Sequence, residues 1–348
     1  MGGGPAPIVL QLQGITKRFG DLLANDGIDL ELRRGEVLAL LGENGAGKTT
    51  LMSILFGHYV ADAGTVRVAD ADGRLATLPA GSPHAALAAG VGMVHQHFAL
   101  AGQLTALENI LLGTEPLWGW RQQRRQARGR IERLMAAAGL AVPLDAPAGG
   151  LSVGERQRIE ILKALYRDAR VLILDEPTAV LTPDEAERLF ATLDRLAAEG
   201  LAILFISHKL DEVMRLSSRI AVLRAGRKVA EFPTAATTPA AIAEAMVGRA
   251  VSLPQPEPAR PGRVVLDLAG VDVPMARGMA AADLTLAVRA HEIVGIAGVS
   301  GNGQRALAAL IAGMAPPRGG TARLDGAPWP AASPRAVMAA GVGRVPED

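Results

Sequence analysis

The stretch RGEVLALLGENGAGKTTLMSILFG, from Arg34 to Gly57, decides the fold. Its apolar run Val37–Leu41 lacks polar alternation, as expected of a strand buried on both faces of a parallel sheet. Directly after it comes Gly42-Glu43-Asn44-Gly45-Ala46-Gly47-Lys48-Thr49, which fits GxxxxGK[ST], and then Thr50 and the start of a helix. Glycines let successive backbone N–H groups turn inward around phosphate oxygens, and the following helix adds its positive N-terminus. Lys48 is placed to reach the β- and γ-phosphates of a nucleotide, and Thr49 to hold Mg²⁺ through its hydroxyl. The competing account is a chance Gly-rich turn. With 40 Gly and five Lys in 348 residues, GxxxxGK is expected by chance roughly 0.07 times, before the Ser or Thr is required. The motif therefore predicts phosphate binding.

Two further apolar runs, Val171–Leu174 and Leu201–Ile206, have the same buried-strand character. Ligands of open α/β sheets sit at the carboxyl ends of strands, so the exits of these runs are where chemistry gathers. The first exit carries Asp175 and Glu176. Asp175 is suited to bind Mg²⁺ through water, and Glu176 to orient and polarise an attacking water. A carboxylate pair after a strand can also start a helix. Here Thr182-Pro183-Asp184-Glu185 fits that task better, with Thr as N-cap and Pro at the first helical position. The other exit is Ser207-His208. A lone histidine there is more often structural, but the sheet brings it into the same crevice as Glu176, 32 residues earlier.

The chain repeats itself. Residues 34–57 have a weaker echo from Ala290 to Gly313, AHEIVGIAGVSGNGQRALAALIAG, at an offset of 256. SPHAALAAGVG from Ser82 and SPRAVMAAGVG from Ser333 agree at eight of eleven positions. Between the copies, VSLPQPEPARPG (251–262) has four prolines and reads as a semi-rigid linker. The expected domains are thus 8–250, the linker 251–262, and 263–348 as the beginning of a second copy cut short. A completed repeat implies roughly 500 residues and a mass of about 50–55 kDa.

Composition narrows the field. Lys plus Arg is 36 against Asp plus Glu 35, so phosphate neutralisation is not the main source of affinity and nucleic-acid binding is not expected. Cysteine is absent, which removes thiolate chemistry and fits a reducing cytosol. No run approaches the roughly 18 apolar residues of a membrane helix, and MGGGPAPIVL lacks a signal peptide's cationic start. A spanning partner, if there is one, is another polypeptide.

LSVGERQ, from Leu151 to Gln157, resembles the signature motif of the ATP-binding cassette (ABC) ATPases. Together with the loop at Lys48, Gln96, Asp175-Glu176 and His208, its order and spacing match that family through residues 8–250. Two copies with a degenerate second phosphate loop, and the phrases GVGMVHQHF and DEPTAVLTP, are similar to the ATPase subunits of bacterial simple-sugar and nucleoside importers.

The resemblance implies an α/β P-loop cassette with a mixed or parallel sheet core and a helical subdomain, followed by the start of a second cassette. It implies ATP and Mg²⁺ as cofactors. Phe19 would stack on adenine, unless it is an edge-strand core residue. Glu43, Asn44, Gly45, Ala46 and Thr50 would join Gly42, Gly47, Lys48 and Thr49 in holding the nucleotide. Gln96 would touch Mg²⁺ or water and relay its state to a permease. His95 and His97 flank it without a further ligand cluster, so non-metal roles are expected. Ser152 and Gly154 would address the γ-phosphate of an opposing cassette.

The signature departs from the commonest LSGGQ at Val153 and Glu155, and Ser152-x-x-Glu155 also fits a capping box. In the second copy Gln304 and Arg305 stand where Lys48 and Thr49 stand in the first, so hydrolysis there is not expected. The Arg-rich stretch from Trp118 to Arg133 reads as a solvated helix face, with lipid headgroups or the membrane subunit as the sharper alternative.

The function implied is ATP hydrolysis at the cytoplasmic face of the plasma membrane. It would power transmembrane permease subunits supplied by a solute-binding protein. The second cassette would come from the same chain or from a homodimer partner. Rival readings are a soluble tandem-cassette ATPase acting on ribosomes or DNA, and a non-catalytic nucleotide-binding truncation product.

Overall fold

The computed structural model describes residues 6–95, 98–114, 120–249, 260–274, 281–298, 302–330 and 333–345. The chain divides into two units, Met1–Ser252 and Leu253–Asp348.

In the first unit, β1 (Ile8–Phe19) and β2 (Leu22–Arg33) form an antiparallel pair, followed by β3 (Val37–Leu41) and α1 (Lys48–Leu55). Next come β4 (Ala63–Ala69), β5 (Leu75–Thr77), α2 (Pro83–Ala88) and β6 (Val91–Val94), then α3 (Ala106–Leu111), α4 (Trp120–Ala138) and α5 (Val153–Tyr166). The remainder is β7 (Val171–Asp175), α6 (Pro183–Ala198), β8 (Ala202–Ile206), α7 (Leu210–Leu216), β9 (Arg219–Arg224), β10 (Arg227–Pro233) and α8 (Pro239–Val247).

The central sheet runs β10-β9-β3-β8-β7-β6 and is parallel except for the edge hairpin β9–β10. Alternate residues of a strand face opposite sides. Val37, Ala39 and Leu41 of β3 enter one apolar cluster, while Leu38 and Leu40 enter another. This two-sided burial is why β3, β7 and β8 read as unbroken apolar runs. The first cluster is closed by the helices from α3 to α8. The second is closed by the antiparallel sheet β2-β1-β4-β5, through Leu10, Leu12, Ile28 and Leu30, with α1 between the sheets. Among the described residues no helix is long and apolar enough to cross a membrane.

Capping boxes at Thr105, Ser152 and Thr182 start α3, α5 and α6, and Pro183 opens α6. Three arginines of α4 are tied into the fold. Arg124 meets Glu108 at 3.0 Å, Arg128 meets Asp145 at 2.8 Å, and Arg130 meets Asp168 at 2.6 Å. The Arg130 guanidinium also lies 4.8 Å from the Tyr166 ring centre. This is a helix face laced to neighbouring acids and loops, as in the solvated-face reading; Trp118 lies outside the described residues.

The second unit contains β11 (Val264–Val273), β12 (Ala281–Arg289), α9 (Gln304–Ile311), β13 (Thr321–Leu324), β14 (Ala327–Pro328) and α10 (Pro334–Ala339). Its sheet order, β12-β11-β13-β14, repeats β2-β1-β4-β5 element for element. Ser333 caps α10 as Ser82 caps α2, each with proline at the start. One element differs. Residues 292–298, the echo of β3, form no strand, and Ile293 is 98% exposed. In the first unit β3 is laddered between β8 and β9. No counterpart of either is present among the described residues of the second unit, and an apolar run becomes a strand only where a neighbour completes its ladder.

Candidate functional site

The phosphate loop begins where β3 ends. Gly42 sits so close to β9 that a Cβ there would fall 2.4 Å from the Leu223 carbonyl oxygen. Gly47 ends the loop at φ +98, and a Cβ there would fall 2.2 Å from the Ala24 carbonyl oxygen. The fully buried Asn25 on β2 donates its amide N–H to the Gly47 carbonyl at 3.1 Å. The loop is therefore clamped from behind. Gly47 has no side chain with which to cap α1, so the first-turn N–H groups stay open to an anion, and the helix dipole favours one. This cradle, in which Gly42 and Gly47 leave no room for a Cβ, fits a nucleotide's phosphates.

The Lys48 ammonium folds across the loop and donates to the Gly42 carbonyl at 2.7 Å and the Glu43 carbonyl at 3.0 Å. Burial lowers its pKa, opposed by the negative charges of Glu176 and Asp175. Asp175, the last residue of β7, has its pKa raised by burial and next by the Glu176 charge, with His95 and Lys48 opposing.

Glu176 turns sharply out of β7 at φ +46, a left-handed conformation for a non-glycine residue, and its N–H donates to the Ile206 carbonyl at 2.9 Å. Its Oε1 lies 2.9 Å from Nδ1 of His208. An ionised carboxylate can only accept, so against it Nδ1 carries the hydrogen. The neutral ring then presents the lone pair of Nε2; donation from Nε2 requires the protonated ring.

These groups open into one cleft of about 950 Å³. Gly42, Glu43, Asn44, Gly45, Ala46, Gly47, Lys48, Thr49 and Thr50 line it, with Asp175, Glu176 and His208 on the far wall. Phe19 stands at its rim, 42% exposed. Tyr59 packs edge-on against that ring at 5.4 Å, and Lys17, held by Asp62 at 2.8 Å, places its ammonium 5.4 Å from the ring centre. The edge-strand core alternative for Phe19 does not hold.

Not every expected residue is brought here. Gln96 and His97 lie outside the described residues. His95 stacks on His58 with ring centres 6.0 Å apart, beside Phe56, and burial, then His58, lowers its pKa. Ser152 and Gly154 do not line the cleft; they start α5. The Ser152 hydroxyl accepts from the Glu155 N–H at 3.3 Å, and the Glu155 carboxylate accepts from the Ser152 N–H at 2.8 Å. Those bonds hold the Glu155 pKa low.

Leu22, Ala24 and Met246 also line the cleft, and Asn25 supports it, with no motif to announce any of them. Leu22, Ala24 and Asn25 arrive on β2, and Met246 on α8, a helix some 200 residues from the phosphate loop. Only their placement by the tertiary fold reveals them.

Fold and cleft together define a P-loop ATP-binding cassette. The ABC transporter family profile matches residues 25–179. The nucleoside import ATP-binding protein NupA of Lactococcus lactis subsp. cremoris is 44% identical over 342 residues, 98% of this chain and 67% of that protein. The glucose import ATP-binding protein TsgD13 of Haloferax volcanii is 44% identical over 369 residues, covering 97% and 66%. The solved structure of a nucleotide-free ATP-binding cassette from an ABC transporter matches with a TM-score of 0.57 at 26% identity, over 65% of this chain and 91% of that one. The chain belongs to the ABC transporter family of ATP-binding proteins. It spans about two thirds of the length of the curated relatives it matches.

Proposed function

We propose that this chain is the ATP-hydrolysing subunit of an importer for a nucleoside or a simple sugar. It acts at the cytoplasmic face of the plasma membrane on separate permease subunits, with a solute-binding protein delivering the cargo. The observation that carries the hydrolytic part is the Glu176–His208 contact facing Lys48 across one cleft. Binding alone needs the phosphate loop; it does not need a carboxylate braced by an imidazole where the γ-phosphate ends. The cargo follows from what NupA and TsgD13 are named for.

In this reading the loop N–H groups and Lys48 hold the phosphates, and Lys48 exchanges its two carbonyl partners for phosphate oxygens. Adenine stacks on the open side of Phe19, with Leu22 and Met246 lining the same cleft. Glu176 orients and polarises the attacking water; His208 accepts from that water through the Nε2 lone pair when neutral, and donates from Nε2 to the γ-phosphate when its ring is protonated. The Thr49 hydroxyl and the Asp175 carboxylate are hard oxygen donors of the kind Mg²⁺ takes, and Gln96 is assigned as a further contact. Bound there, Mg²⁺ would neutralise phosphate charge during transfer.

Ser152 and Gly154 serve a nucleotide on an opposing cassette, in the same chain or in a second copy. The second unit is read as the start of such a cassette, with Gln304 and Arg305 in place of Lys48 and Thr49 and without hydrolysis of its own.

The test is uptake of labelled nucleosides and ribose by cells in which the native gene is replaced by the E176Q variant, alongside phosphate release by the purified protein. Loss of both is expected. Unchanged uptake would overturn the import reading, and unchanged phosphate release the assignment of Glu176.

A further inference from the structure

Two loops carry the hydrolytic pair, the β7–α6 turn with Glu176 and the β8–α7 turn with His208. Besides the Glu176–His208 contact, a carboxylate joins them, and it belongs to neither the phosphate loop nor any motif above. Glu212, in the first turn of α7, is largely buried. Its Oε2 accepts from the Thr178 hydroxyl at 2.6 Å and from the Ser207 hydroxyl at 3.1 Å. Its Oε1 pairs with the Lys209 ammonium at 3.0 Å. Lys209 in turn donates its ammonium to the Thr178 carbonyl at 3.3 Å and its backbone N–H to the Ser207 hydroxyl at 3.1 Å. Thr178 and Ser207 are each only 2% exposed.

The Glu212 carboxylate ties Thr178 of one turn to Ser207 and Lys209 of the other, and the Lys209 ammonium adds a direct bond across to the Thr178 carbonyl. Thr178 is two residues beyond Glu176, and Ser207 is the residue before His208. We infer that Glu212 is a positioning residue that locks the two turns into one body and so sets the Glu176–His208 geometry. The inference rests on the proposed hydrolytic role of that pair. A carboxylate suits the task because it offers acceptor sites to two hydroxyls and an ammonium at once. Glutamine at this place presents one oxygen and one NH₂ group, so it cannot satisfy Thr178, Ser207 and Lys209 together. Its oxygen keeps the two hydroxyls only by turning its NH₂ against the Lys209 ammonium, so packing is conserved while the tie is weakened.

The experiment uses the full chain with the substitutions E212Q, T178V and the double substitution. ATPase kinetics are measured together with peptide-resolved hydrogen exchange over residues 171–181 and 202–212. The expected result for E212Q is a kcat lower by about 10- to 100-fold, the range misplacement of reacting groups produces, with KM for ATP changed by less than about 2-fold. T178V should lower kcat in the same manner, and the double variant should cost little more than E212Q alone, because the two residues act as a unit. Exchange should accelerate in the two turns and stay unchanged in β7 and β8. A kcat equal to wild type in E212Q overturns the inference. So does faster exchange throughout β7 and β8, which marks general destabilisation. If the wild-type chain releases no phosphate, the hydrolytic reading falls; the exchange pattern alone then decides whether Glu212 ties the turns.

Discussion

Nδ1 of His208 lies 2.9 Å from Oε1 of Glu176, across 32 residues of sequence. The contact exists because β7 and β8 are parallel neighbours that end level, Asp175 beside Ile206. Glu176 pays for its place with left-handed backbone, a strain on the order of 1 kcal/mol or more, held by its N–H bond to the Ile206 carbonyl.

Because the two groups touch, they should fail together. E176Q is expected to lower ATP turnover by about 100-fold or more, and H208A by a comparable factor. The double variant should be hardly worse than E176Q. Steady-state phosphate release by the three variants checks this, and additive losses would show that the residues act independently.

Gly47 tests the cradle. In G47A the new methyl meets the Ala24 carbonyl and the Asn25 amide, in a backbone conformation alanine disfavours by about 1 kcal/mol or more. Loss of nucleotide binding, read with a fluorescent ATP analogue, is expected, with a lower Tm. Wild-type affinity would mean that the loop is not clamped from behind as described.

F19A removes the apolar plane at the cleft's rim. Aromatic stacking of about 0.5–1.5 kcal/mol corresponds to a rise in Kd for ATP of roughly 2- to 13-fold. Inorganic tripolyphosphate, which has no base, should bind both forms equally. An equal loss for both ligands in a titration would place Phe19 away from the base.

Asp175 separates stability from function. Burial and the neighbouring Glu176 raise its pKa in the folded state, so the fold holds that proton more tightly than the unfolded chain does. Its ionisation therefore costs stability, and the cost grows as pH rises from the unfolded value of 3.8 through the folded one. D175N should melt a few degrees higher than wild type at pH 7 while losing Mg²⁺-dependent hydrolysis, and the gap should narrow toward acid. Calorimetry across pH decides; a lower Tm for D175N at pH 7 contradicts the account.

Ser152 should show two separable effects. Removing an N-cap hydroxyl costs about 1 kcal/mol, so S152A is expected to lower Tm. Since Ser152 does not line the cleft, ATP affinity of the single chain should stay the same. An affinity loss measured on the monomer would place Ser152 in this site after all.

The parallel core was legible because two-sided burial writes itself as unbroken apolar runs, and β3, β7 and β8 begin or end within a residue of those runs. The residues at their exits were legible because the sheet fixes where strand ends gather. The antiparallel sheet was not. Its strands bury one face, their alternation is broken by bulges at Leu12–Ile15 and Ile15–Lys17, and Phe19 therefore read equally as core or rim. Glu212 carries no motif, because its role depends on two turns meeting in space. The segment 292–298 shows the opposite failure: Ile293, Val294 and Ile296 echo the apolar run of β3, but apolar residues do not supply the neighbouring strands.

The central position of β3 also sets an order of events in the cell. Val37 pairs with Ile203, and Ala39 with Ile220, so the strand leading into the phosphate loop is laddered only by residues made more than 160 positions later. At about 5–20 residues per second, a ribosome takes on the order of 10–30 s to supply them. Through that interval an apolar segment waits unpaired on the nascent chain. Translation speed and holdase chaperones, as well as equilibrium stability, therefore govern the yield of folded protein.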